Sequence, residues 1–186
     1  MQERICEAMI ETVINLFKKP LCIDTTHSIG QDGGEELEIQ RLGKDLQQEI
    51  TRIFDKSFAI REVDCGSDNA AEIELGNLSS AYYDVERFGI TFVASPRHAD
   101  ALMVTGAVTR AMADALIKTY EATPNPKIVI AVGDDACTGG IWKGSYAVLG
   151  GVEAVIPVDL KIPGNPPRPI EIIGSLLTLL RTQQRS

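Results

Sequence analysis

Aromatic side chains are scarce, with one Trp, four Tyr and five Phe in 186 residues. A core must therefore be filled mainly by Ile, Val, Leu and Ala. Basic residues are also short, 18 Lys and Arg against 26 Asp and Glu, for a formal net charge of −8. That balance excludes a nucleic-acid binder, which needs cationic side chains to displace counterions from phosphates. It also disfavours adsorption to an anionic membrane surface. No apolar run reaches the roughly 18 to 20 residues of a bilayer span; Ile170–Leu180 and Ile128–Val132 are interrupted or far shorter. Residues 1–19 carry acids among their apolar positions, unlike the unbroken apolar stretch of a signal peptide. A cytoplasmic protein is expected, peripheral at a membrane only through a complex.

Metal and nucleophile signatures are missing too. Cys6, Cys22, Cys65 and Cys137 include no CxxC pair and match no zinc spacing, so four free thiols are expected in a leaderless cytosolic chain. No phosphate-loop or dinucleotide glycine pattern occurs, and Gly139, Gly140, Gly144, Gly150 and Gly151 read as turn glycines. With only two histidines, neither in a recognisable Ser or Cys arrangement, nucleophilic catalysis has no support. What remains is a globular composition, 44% hydrophobic and 24% charged, of a size to build its own core.

Hydrophobic periodicity divides the chain in two. Up to residue 57 it predicts a helical extension: Ile5, Met9, Val13, Ile14 and Phe17 at helical spacing, a polar loop over Thr25–Glu35, and an amphipathic helix over Glu36–Phe54. Residues 58–186 alternate strands and helices. Strands are predicted at Phe58–Val63, Ile90–Ala94, Ala101–Thr105, Ile128–Val132 and Val155–Val158, and helices at Ala70–Tyr83, Val108–Tyr120 and Ile170–Arg181. Fully apolar strands alternating with helices imply an α/β fold of three layers, a parallel sheet with helices on both faces. Ligands of such sheets sit beyond the carboxyl ends of the strands. The loops expected there are Asp64–Asn69, Ser95–His98, Gly133–Gly140 and Asp159–Pro169.

Three segments in order, RFGITFVASPRHADALMVTGAVTR (Arg87–Arg110), TYEATPNPKIVIAVGDDACTGG (Thr119–Gly140) and VIPVDLKIPGNPPRPIEII (Val155–Ile173), resemble the small subunit of respiratory complex I (NADH:quinone oxidoreductase) and of group 4 energy-converting [NiFe] hydrogenases and formate hydrogenlyase. The resemblance implies a flavodoxin-like fold and a large-subunit partner in a hydrogenase- or complex I-like assembly. It also implies one [4Fe–4S] cluster facing that partner, held by a CxxC pair after the first strand, a Cys in a G-x-C-A turn and a Cys in P-G-C-P-P. In this sequence those ligand positions fall on Asp68 and Ala71 in GSDNAAE, Asp135 in GDDA and Asn165 in PGNPP. Every thiolate is replaced. Cys65 and Cys137 are displaced from Asp68 and Asp135 in sequence, and oxygen donors are poor partners for an iron–sulfur core. No cofactor is expected.

Three functions follow. The first is a cluster-less structural or interaction subunit of an oxidoreductase-type complex, not catalytic on its own. The second is an electron-transfer subunit with an unusual cluster. The third is divalent-cation or small-ligand binding in the vacated pocket, where Asp68 and Asp135, with Asp64, Glu72 and Asp134, offer oxygen donors to Mg²⁺ or Ca²⁺; the plainer reading is that these polar groups hydrate the space. Arg97 and His98 are candidates for partner contact or for mere loop ordering, with Arg97 paired to an acid such as Asp100. Glu72 and Trp142 are further interface candidates, and Trp142 and Tyr146 suit either a partner or the core.

Overall fold

A computed structural model describes residues 21–22 and 34–182. The first predicted helix and most of the Thr25–Glu35 loop lie outside the described residues.

The elements are β1 (Leu21–Cys22), α1 (Glu35–Phe54), β2 (Phe58–Asp64), α2 (Ala70–Leu78), β3 (Ile90–Phe92), β4 (Ala101–Thr105), β5 (Val108–Thr109), α3 (Ala113–Ala122), β6 (Ile128–Val132), α4 (Asp134–Thr138), β7 (Val148–Gly150), β8 (Leu160–Ile162) and α5 (Pro169–Thr182). Six strands form one parallel sheet in the order β1-β8-β6-β4-β2-β3, and β5 and β7 form a separate antiparallel pair. Leaving aside the short edge strand β1, the order is the flavodoxin-like 2-1-3-4-5 arrangement.

The two faces of the sheet bury different sets, as strand alternation requires. Phe58, Ile60, Met103, Ile130, Val132, Leu160 and Ile162 pack with α1, α2 and α5. On the other face Val63, Leu102, Val104, Val129 and Ala131 pack with Leu116 of α3 and with Ala136 and Cys137 of α4. α1 lies against α5, burying Ile39, Leu46 and Ile50, and the two helices are joined by ion pairs from Arg181 to Asp45 (2.9 Å) and Glu49 (3.8 Å).

Three sequence expectations change. Val108–Thr109 is not the start of a helix: it pairs with β7, and the helix begins only at Ala113. The helix after β2 ends at Leu78 rather than Tyr83, closed by turns from Gly76 to Ser79 and Asn77 to Ser80. The last strand is Leu160–Ile162, not Val155–Val158. Val155 instead closes a 3-10 turn over Val152–Ala154, while Ile156 and Val158 are buried against the α3/α4 face, so their apolar character reflects burial rather than strand pairing.

Two aspartates set the register where strands begin. The Asp100 amide donates to the Ala59 carbonyl (2.8 Å), and its carboxylate accepts the Ala59 amide (3.0 Å) and pairs with Lys56 (2.8 Å). Asp159 repeats the device on Val129, with bonds of 2.9 and 2.7 Å. Each satisfies a strand-end amide that the ladder leaves open.

Candidate functional site

Register makes the functional edge. Asp64 lies opposite Thr105, Thr105 opposite Val132, and Val132 opposite Ile162, so four adjacent strands end at one level. The loops that leave them are forced together. Asp64 Oδ1 accepts the amides of Gly66 (2.7 Å) and Ser67 (2.9 Å), curling the first loop back over the strand end. Gly106 accommodates that curl: at φ 71° a Cβ there would stand 2.4 Å from the Ser67 nitrogen. Asp68 Oδ1 then accepts the Ala70 amide (3.0 Å) at the start of α2.

The four positions singled out in the sequence converge here. Asp68 is near enough to Asp135 for its charge to act on it. Gly133, which opens α4, has the Ala71 methyl and the Gly164 carbonyl within 3.7 and 3.6 Å of where its own Cβ would be. Gly164 precedes Asn165 and is bonded in both directions to Asp134. Gly140 leaves room for Asp135, whose Oδ1 would be 1.6 Å from a Cβ at that position.

Those four positions carry two carboxylates, a carboxamide and a methyl group. Those residues do not fit a [4Fe–4S] cube, which is held by thiolates. Nor do the neighbouring thiols turn toward it. Cys65 is fully buried in the core on the α3/α4 side, and burial, then the charge of Asp64, pushes its thiol up to about 12. Cys137 is buried in the same core, its thiol 3.6 Å from the Ala131 carbonyl. Among the described residues no group of three or more His, Cys, Asp and Glu is arranged to hold a metal ion.

Electrostatics at the edge are acidic. Burial first, then the charges of Asp68 and Asp134, raise the Asp135 carboxyl above its usual range, and the neighbouring Trp142 opposes the rise. One turn into α2, both carboxylate oxygens of Glu72 are shut off from solvent with no hydrogen-bond partner. Glu72 also acts on Glu62 of β2, whose carboxyl is raised by burial and then by Glu72's charge.

Arg97 and His98 stand apart. β3 ends at Phe92 opposite Ile60, and Asp100 bonds Ala59, so the Ser95–His98 turn crosses β2 near its start rather than at the carboxyl edge. Four strand residues, about 13 Å at the usual rise, separate that level from Asp64. Both side chains are exposed, on a turn that packs beside α3. Asp100 pairs with Lys56, not with Arg97. β3 has only three residues and stops short of its neighbours, which strand prediction did not foresee. The pairing of Asp134 with Gly164 also escaped sequence reading; an Asp directly after a strand-ending glycine is its one local signal.

Comparison with known proteins places these features in a family. The family model described as NADH ubiquinone oxidoreductase, 20 Kd subunit, matches residues 69–179, more than half of the chain. An uncharacterized protein of Methanocaldococcus jannaschii, MJ0516, is 49% identical over 122 residues, covering 66% of this chain and 82% of that one. Formate hydrogenlyase subunit 7 of Escherichia coli is 44% identical over 124 residues, 67% of this chain, but only 49% of that longer protein is spanned. The "Probable membrane-bound hydrogenase subunit mbhJ" of Pyrococcus furiosus is 39% identical over 143 residues, 77% and 85% of the two chains. A chain in the structure of the membrane-bound sulfane sulfur reductase, an archaeal respiratory membrane complex, superposes with a TM-score of 0.63 at 33% identity, covering 76% of this chain and 77% of that one. Among the described residues no helix is long and apolar enough to cross a membrane. By sequence and fold, the chain belongs to the NADH ubiquinone oxidoreductase 20 Kd subunit family.

Proposed function

We propose that this chain is a cluster-less small subunit of a hydrogenase- or complex I-type assembly, docking a large-subunit partner through its carboxyl edge and serving a structural role. One observation carries the reading: the family scaffold brings Asp68, Ala71, Asp135 and Asn165 to one edge, and none of them is a thiolate donor. The burial of Cys65 and Cys137 in the core on the α3/α4 face supports it further. Relatives named as subunits of membrane-bound complexes support peripheral attachment to such a complex.

Two measurements test this. Protein expressed and purified without oxygen should be colourless and free of iron and acid-labile sulfide. About four irons and four sulfides per chain, the content of one cube, would restore the electron-transfer role that family membership otherwise suggests. The chain should also co-purify with the large subunit of its complex under gentle conditions; failure to do so removes the docking role.

A further inference from the structure

Nine large hydrophobic side chains are exposed among the described residues, and four of them crowd into residues 141–149: Ile141 (82% exposed), Trp142 (46%), Tyr146 (92%) and Leu149 (40%). Single exposed apolar residues are ordinary, whereas a contiguous group marks an interaction surface. The segment is held firmly at its base. Gly151 packs against the Ala136 and Cys137 carbonyls so closely that a Cβ would lie 2.8 to 2.9 Å from them. Arg110 donates from its amide to the Ala147 carbonyl (2.9 Å) and from Nε to the Tyr146 carbonyl (2.8 Å). β7 adds its ladder with β5. The ridge is therefore preorganised, which lowers the entropy cost of covering it.

Its flank fixes what covers it. Gly140, next to Ile141, lies so close to Asp135 that a Cβ there would stand 1.6 Å from its Oδ1, and Trp142 is near enough to act on the Asp135 carboxyl, so the ridge runs into the acidic edge. Ion pairs tie Lys56, Arg87, Lys118, Lys161, Arg168 and Arg181 to acids elsewhere, but none reaches Asp64, Asp68, Asp134 or Asp135. Lys143, exposed on the ridge itself, forms no ion pair with them among the described residues. Acids gathered at one edge without a counter-ion among the described residues, bordered by the exposed Trp142, call for a complementary base at the centre of an apolar contact.

Resting on the docking role proposed above, we propose that the Ile141–Leu149 ridge and the Asp68–Asp135 edge form one surface, on which the large-subunit partner seats an arginine or lysine between the two aspartates while its apolar side chains pack on Ile141, Trp142 and Tyr146.

The test measures affinity between the full chain and its purified large subunit at low and high salt. In the double variant Asp68→Asn, Asp135→Asn, binding at low salt should weaken by about 10- to 100-fold and lose most of its salt dependence. In Ile141→Ser, Tyr146→Ser, it should weaken about tenfold or more at both salt levels. Melting temperatures of both variants no lower than that of the parent exclude unfolding as the cause. Parent-like affinity of either double variant at both salts overturns this surface while leaving the docking role standing. A parent chain that does not bind the large subunit at all overturns the docking role instead. Light scattering distinguishes one more occupant: a dimer of the chain alone, abolished by Ile141→Ser, Tyr146→Ser, assigns the ridge to a second copy and overturns the proposal.

Discussion

Asp134 and Gly164 hold each other, the Gly164 amide donating to Asp134 Oδ1 at 2.9 Å and the Asp134 amide donating to the Gly164 carbonyl at 2.8 Å. This pair joins the loop after β6 to the loop after β8, and so brings the residues that follow each partner, Asp135 and Asn165, to the same edge.

Removing the acceptor should loosen that junction. Asp134→Ala is expected to cost about 1.5–3 kcal/mol, the range for a bond to a charged acceptor. The melting temperature should fall by roughly 2–4 °C for each kcal/mol in a chain of this size. Asp134→Asn keeps an acceptor and should cost less. Amide exchange at Gly164, measured by NMR, should accelerate in the alanine variant and change little in the asparagine variant.

A second prediction concerns pH. The carboxyls of Glu62, Asp135 and Asp159 are all raised, in each case with burial as the largest cause. Each folded group then binds its proton more tightly than the unfolded chain does. Their contribution to stability is fully present below the ordinary values of 4.5 for Glu and 3.8 for Asp, and is lost as pH rises through the higher folded values. Denaturant midpoints should therefore fall as pH climbs from just above those ordinary values toward neutrality. The combined variant Glu62→Gln, Asp135→Asn should show a shallower fall. A steeper fall in the variant would refute this assignment.

The Cys65 thiol, pushed up to about 12 and buried, should be almost wholly protonated at neutral pH. It should resist alkylation in the native protein and react only after unfolding, because the thiolate is the nucleophile. Peptide mass spectrometry after timed alkylation reads this residue by residue.

A fourth prediction runs against helix propensity. Gly43 sits inside α1, where alanine ordinarily gains about 1 kcal/mol. A Cβ there would stand 2.2 Å from the buried Phe88 ring. Gly43→Ala should therefore destabilise, by about 1–3 kcal/mol as overpacking does. Urea denaturation of Gly43→Ala with and without Phe88→Leu checks the cause: the smaller side chain should recover part of the loss.

Much of the fold was legible because its strands are apolar and its helices amphipathic. Ala101–Thr105 and Ile128–Val132 are fully buried runs, Phe58–Asp64 is buried at Phe58–Ile60 and Val63, and α1 begins one residue before its expected start and ends at the expected Phe54. Val155–Val158 misled because burial in a loop and burial in a strand leave the same composition. Val108–Thr109 misled because its pairing partner, β7, lies some forty residues on.

The order of apolar segments and the identities of Asp68, Ala71, Asp135 and Asn165, none of them a thiol, are properties of the sequence itself. Only the tertiary structure decided that Asp64, Thr105, Val132 and Ile162 end at one level, since strand register depends on pairing between distant segments. The same holds for the turning of Cys65 and Cys137 into the opposite core, and for the removal of Arg97 and His98 from the edge by the shortness of β3. Trp142 was visible as a candidate, but its nearness to Asp135 arises from a tertiary approach that local sequence does not encode.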